Sequence, residues 1–136
     1  MTAPRLALLT LLALLVLPSL GASASPAARQ ASAYLDLRTP RASVLSYAAA
    51  LHAERWQDAC AHQSRAVRTG DASACVGQLA SLGAAVRTLR VSIVGVTRRG
   101  GYAEVAYRST LGFAHGIATL ECRGRDWLIT GFLPRR

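Results

Sequence analysis

The sequence predicts an α+β domain: three N-terminal helices packed on one face of an antiparallel sheet of about four strands. Three observations carry this expectation. From Pro40 to Leu82, apolar residues recur at the helical period. From Leu89 to Leu133, β-branched and aromatic residues take over in short alternating runs. Those runs are cut by Arg99-Gly100-Gly101 and Gly124-Arg125-Asp126, both turn sequences. A sheet with one apolar face needs cover, and residues 40–82 are the only candidate.

The chain opens with a leader pattern. Arg5 precedes an apolar run, Leu6 to Leu17, which Pro18 breaks, and Ala22-Ser23-Ala24 has the small side chains of a cleavage site. The run is short beside the roughly 20 apolar residues of a membrane span. Residues 1–24 are therefore expected to be a cleaved signal peptide, and the protein to be secreted or envelope-associated. An uncleaved N-terminal anchor is the alternative. Residues 25–38, with Pro26 and several alanines and serines, read as a flexible tether, and residues 39–134 as the domain.

The first helix starts at Thr39-Pro40. Threonine accepts from free amides, and proline at the first helical position forfeits no hydrogen bond. Val44, Tyr47, Ala48 and Leu51 form its expected buried stripe. A second helix covers roughly Arg55 to Gln63, with Trp56, Ala59 and Cys60 inward. Thr69-Gly70-Asp71 is a turn, and Asp71 caps a third helix running to about Leu82. Its inward positions are Ala72, Cys75, Val76, Leu79 and Leu82, and Gly83 stops it.

The strands follow. Leu89 to Thr97 is the first, and Tyr102 to Ser109 the second, with Ala103, Val105 and Tyr107 on one face. Phe113 to Arg123 is the third and Trp127 to Leu133 the fourth, with Trp127 and Ile129 sharing a face.

Three cysteines permit one disulfide, which an oxidising compartment would preserve. Cys60 and Cys75 lie on adjacent helices facing one layer, so they are the expected pair. Cys60–Cys122 and Cys75–Cys122 remain open. Cys122, in phase with Ala118 and Leu120, is expected to fill the core as a small hydrophobe.

The net charge is +9, and all 16 basic residues are arginine. The arginines are spread along the chain without interleaved aromatics, which argues against single-strand nucleic-acid binding. Weak, non-specific attraction to anionic envelope components is expected instead. Cys60, His62, Cys75 and Cys122 lack the close paired spacing of a zinc site, so no metal is expected. No phosphate loop or nucleophile elbow appears, and no cofactor is expected.

The order of elements resembles the nuclear-transport-factor-2-like superfamily, which includes polyketide-cyclase-like and steroid-isomerase-like proteins. Val44 to Leu51 resembles its first long helix. Arg55-Trp56-Gln57-Asp58-Ala59-Cys60 resembles the short second helix of secreted actinobacterial members, and Cys75 to Leu79 their third. Asp126-Trp127-Leu128-Ile129-Thr130-Gly131 resembles the closing strand. The resemblance covers about residues 40–133. It implies a cystatin-like cone, a curved sheet around an apolar pocket, and leaves open a homodimer through the outer face of the sheet, where such cones often pair. It does not imply an activity, since the same fold carries enzymes and binding modules.

The first functional expectation is an exported binding or accessory domain taking an apolar small molecule. Its pocket candidates are Tyr47, Ala48, Leu51, Trp56, Val105, Tyr107, Leu120, Trp127 and Ile129. The small side chains of Ala48, Ala103, Ala106 and Ala118 should leave volume among them. The alternatives are a dimeric scaffold and a small isomerase- or cyclase-like enzyme. The enzyme would need a pocket base and an enolate-stabilising donor. Asp58 or His62 could be the base, and Tyr47 or Tyr107 the donor. Helical phase turns Asp58 away from Trp56 and sets His62 at the periphery. His52 is expected at a helix edge and His115 in an exposed loop.

Overall fold

A computed structural model describes residues 32–65, 67, 72–110 and 115–134. The leader, residues 25–31, the Thr69-Gly70-Asp71 turn, Phe113 and the final Arg135-Arg136 lie outside the described residues.

The architecture is α+β: a few helices and an open four-stranded antiparallel sheet. The first helix, α1 (Pro40–His52), begins as its sequence dictates, with the Thr39 hydroxyl accepting from the Ala42 amide at 3.0 Å. At its other end the Arg55 amide reaches Ala50 O and the Glu54 amide reaches Leu51 O. That pair of bonds is a Schellman cap, which needs one left-handed residue. Glu54 takes that role at φ 56, where glycine is usual. Its carboxylate meets Arg87 at 3.1 Å, joining the corner to the segment before the sheet.

Next come α2 (Trp56–Ala61) and α3 (Ala72–Ala80), joined by the Cys60–Cys75 disulfide with Cα atoms 6.0 Å apart. Cys122 is the free thiol, packed against the core edge. The third helix ends sooner than its apolar period suggests. Leu82, expected inward, is 49% exposed, because the chain turns after Ala80 and Gly83 adopts φ +62. A 3-10 helix, Gly83–Thr88, follows and buries Val86 instead.

The strands are β1 (Val91–Arg99), β2 (Tyr102–Ser109), β3 (His115–Arg123) and β4 (Asp126–Pro134), paired in sequence order. Gly100 and Gly124 open the two outer hairpin turns at positive φ, the geometry that two-residue turns require. Two bulges break the alternation. One shifts register between Ile93 and Gly95; the other, at Thr130, sits opposite the Thr119–Leu120 step. A bulge bends its strand and reverses which side chains face inward. Trp127 and Ile129 face the core, and beyond the bulge Phe132, paired with the core residue Ala118, turns to the same side of the sheet while staying 38% exposed.

The core is Val44, Tyr47, Ala50 and Leu51 of α1, Ala59 of α2, and Ala103, Val105, Ala118, Leu120, Trp127 and Ile129 of the sheet. One stretch expected to be tether is docked onto it. Tyr34 packs against the core, Trp127 N donates to Leu37 O at 2.9 Å, and the Asp36 amide donates to Ser46 Oγ at 3.0 Å. Tyrosine and leucine have apolar area to bury, and residues 32–38 use it.

The disulfide closes a short loop across the helical layer. Breaking it with Cys60→Ala should cost about 2–5 kcal/mol in urea unfolding. Non-reducing peptide mapping should join Cys60 to Cys75; a stability equal to the parent's would show the bond to be dispensable.

Candidate functional site

The sheet has two ends. At the end opposite the outer hairpin turns, the C-terminal half of α1 stands off from the strands and leaves an apolar cleft of about 120 Å³. Tyr47, Tyr107 and Phe132 form its aromatic part. Phe132 stacks on Tyr47 with centroids 5.6 Å apart and meets Tyr107 edge-on at 6.2 Å. Val44, Ala48 and Leu51 of α1 face Leu89, Val91 and Ser109 across it.

Tyr107 owes its position to a missing side chain. It pairs across the strands with Gly116, where an added Cβ would lie 2.5 Å from the Tyr107 hydroxyl and 2.6 Å from its ring. Only glycine lets the phenol lie flat over β3. Burial holds both the Tyr47 and Tyr107 hydroxyls above the usual tyrosine range. Both stay protonated and can donate to a polar atom on an otherwise apolar guest. Tyr47 also accepts from Gln63 Nε2 at 3.1 Å, which fixes its ring.

Four of the nine pocket candidates meet at this cleft: Tyr47, Ala48, Leu51 and Tyr107. Val105, Leu120, Trp127 and Ile129 instead fill the closed core, each at 2% exposure or less. Trp56 is half-buried and borders a separate, more polar groove with Glu54, Arg55, Asp58 and Val76. Phe132 belongs to the cleft and was not among the candidates, because strict alternation from Ile129 points it outward. Gly131, a glycine inside a strand, is the one sequence sign of the bulge.

The acid/base candidates lie apart from the cleft mouth. Asp58 pairs with Arg55 at 3.0 Å on the surface. His62 is corrected from the periphery to the interior, with no exposed surface. The reason is local: α2 stops at Ala61, so helical phase no longer governs His62. The chain there runs along β4, with Ile129 N donating to His62 O at 2.7 Å and Ser64 N to Ile129 O at 2.9 Å. Ser64 Oγ is buried with no hydrogen-bond partner among the described residues.

Both ring nitrogens of His62 are occupied. Nδ1 lies 2.7 Å from Asp58 O, which can only accept, so Nδ1 carries the proton. Nε2 then accepts from Ser46 Oγ at 2.6 Å. The ring also meets Tyr47 edge-on at 5.7 Å. This hydroxyl–imidazole pair has the atoms of a nucleophile and base, but Ser46 is 5% exposed and accepts from the Asp36 amide. It is a buried fastener for the 32–38 segment. Gln63 Oε1 lies 3.5 Å from Cys75 Sγ, a van der Waals contact, since a disulfide sulfur has no proton to give.

His52 is half-buried beside Arg90, and His115 is exposed at the start of β3. Among the described residues, no three His, Cys, Asp or Glu side chains gather as metal ligands, and no helix is long and apolar enough to cross a membrane. No family model, curated protein or solved structure matches the chain.

Desolvation pushes the His62 pKa below 6.5, against the smaller opposing pull of the Asp58 and Ala59 backbone bonds and the Asp58 and Asp36 carboxylates. The unfolded chain takes up a proton near 6.5, while the folded chain resists until lower pH. The associated stability is complete above that value and is lost as pH falls towards the folded pKa. Urea unfolding between about pH 7.5 and pH 5 should show this decline. His62→Gln should be less stable at neutral pH, with a flatter profile over the same window. An unchanged profile would assign the decline to other groups.

Proposed function

We propose that this chain is an exported binding or accessory domain of the nuclear-transport-factor-2-like type, which holds a small apolar molecule between α1 and the end of its sheet. The observation that carries the reading is the cleft, with three aromatic rings, aliphatic walls and two protonated phenols. Among the described residues its two tyrosines are its only ionisable lining groups, which favours holding a guest over moving its protons. The cone is supported by helices preceding a meander that bulges bend at β1 and β4. Export is supported by the leader pattern and the disulfide.

A cleft of about 120 Å³ is smaller than the roughly 300–1,000 Å³ of drug-sized sites. It suits a single ring or short branched chain, with the remainder of a larger guest projecting outward. Thermal-shift screening with small aromatic and aliphatic alcohols should raise the melting temperature. Ala48→Leu should abolish the rise by filling the space, and Tyr107→Phe should weaken it for alcohols more than for hydrocarbons. If no compound shifts the parent, the binding reading fails.

A second reading, a homodimer through the outer face of the sheet, is favoured by one row of side chains. Strand register places Val94 and Gly95 beside Ala106, Ala106 beside Ile117, and Ile117 beside Leu133, an apolar line across all four strands. Val94 is 60% and Leu133 56% exposed. Such a row can meet its own copy about a two-fold axis. Sedimentation equilibrium should give a dimer that Ile117→Glu with Leu133→Glu converts to a folded monomer. A monomeric parent at high concentration would exclude it.

A further inference from the structure

The fold gathers arginines that the sequence scatters. Cys122 N donates to Gly101 O at 2.8 Å, so the β1–β2 turn lies against the end of β3. Arg98 and Arg99 close β1, Arg123 closes β3, and Arg125 sits in the β3–β4 turn. The start of α1 is at the same end, since Ser43 Oγ donates to Trp127 O at 2.8 Å; it brings Arg38 and Arg41. All six arginines are exposed.

The nearby acids offset only part of this charge. Asp36 is taken by Arg38 at 2.8 Å and Glu121 by Arg123 at 3.1 Å; Asp126 is the third, and Glu104, which shares a groove with Arg99 and Tyr102, is the fourth. Arg41, Arg98, Arg99 and Arg125 have no carboxylate partner among the described residues. Arg98 instead lies over the Trp127 ring at 4.7 Å.

We propose that this end of the domain docks onto an anionic lipid surface. Its shape is that of an end, not a groove: two turns that each begin with glycine, and a helix start. A nucleic-acid strand would need several aromatic faces open for stacking, and here Trp127 is buried beneath Arg98, while Tyr102, 39% exposed, is tied by its hydroxyl to the Glu104 carboxylate at 3.3 Å, an acid that repels phosphates. A plane of phosphates needs only several guanidinium groups presented together. The apolar cleft is at the opposite end and stays clear, so this inference does not depend on the cleft's having a ligand.

The test uses the exported protein with vesicles of phosphatidylglycerol and phosphatidylcholine, or phosphatidylcholine alone, sedimented at low salt. With two arginines in excess over acids, the anionic vesicles should be preferred by roughly thirtyfold, and added salt should reduce the preference. Arg99→Glu with Arg125→Glu should abolish it. Arg65→Glu with Arg108→Glu, an equal charge change away from this end, should retain it. Melting curves for both pairs confirm folding. Equal loss in the two pairs would mean overall charge rather than a docking end. Binding that survives Arg99→Glu with Arg125→Glu, equal binding to neutral vesicles, or tighter binding of a single-stranded oligonucleotide at the same salt would also overturn the proposal.

Discussion

The outer edge of β4 is where the helical layer is fastened to the sheet. A bare edge strand leaves backbone donors and acceptors unmatched and invites foreign strands. Here three segments meet that edge. Leu37 O accepts from Trp127 N, the Ser43 hydroxyl donates to Trp127 O, and residues 62–64 exchange two backbone bonds with Ile129. Each bond joins residues far apart in sequence, and together they fix the distance from α1 and α2 to the strands. The core between those layers is built largely of small and medium side chains, with Leu120 and Ile129 fully buried at its centre.

The same fastening explains why polar groups lie inside. Ser43, Ser46, His62 and Gln63 are buried in the layer that touches β4, and each has a hydrogen-bond partner. A buried polar atom left unmatched costs about 1–3 kcal/mol, whereas a matched one contributes little net energy but enforces one geometry. The cluster thus specifies how the first docked segment, the first helix and the end of the second helix fit together. The disulfide constrains α2 and α3 from the other side.

Against this fastened side, the far end of the sheet is open. The β4 bulge turns Phe132 inward where α1 has diverged from the strands, and Gly116 lets Tyr107 lie across β3. The cleft lies between α1 and the ends of β1, β2 and β4, with Phe132 presented by the bulge. The other end carries the two glycine turns and six exposed arginines. One small domain therefore offers an apolar face and a cationic face at opposite poles.

Local sequence determined much of this protein. The α1 cap at Thr39-Pro40, the strand runs, the glycine turns and the inward phase of Ala103 and Val105 are short-range effects, set by side-chain chemistry within a few residues. Neighbouring helices made Cys60–Cys75 the expected pair, but the choice over Cys60–Cys122 and Cys75–Cys122 came from the tertiary structure. Tertiary structure decided the rest. Periodicity holds only while an element continues, so it misplaced His62 one residue past the end of α2 and Leu82 past the end of α3. A one-residue bulge reverses a strand's faces, and this hid Phe132 from a count of alternating positions. The gathering of Arg38, Arg41, Arg98, Arg99, Arg123 and Arg125 at one end depends on which turns become neighbours, a property of strand pairing over long sequence separations that no local pattern encodes.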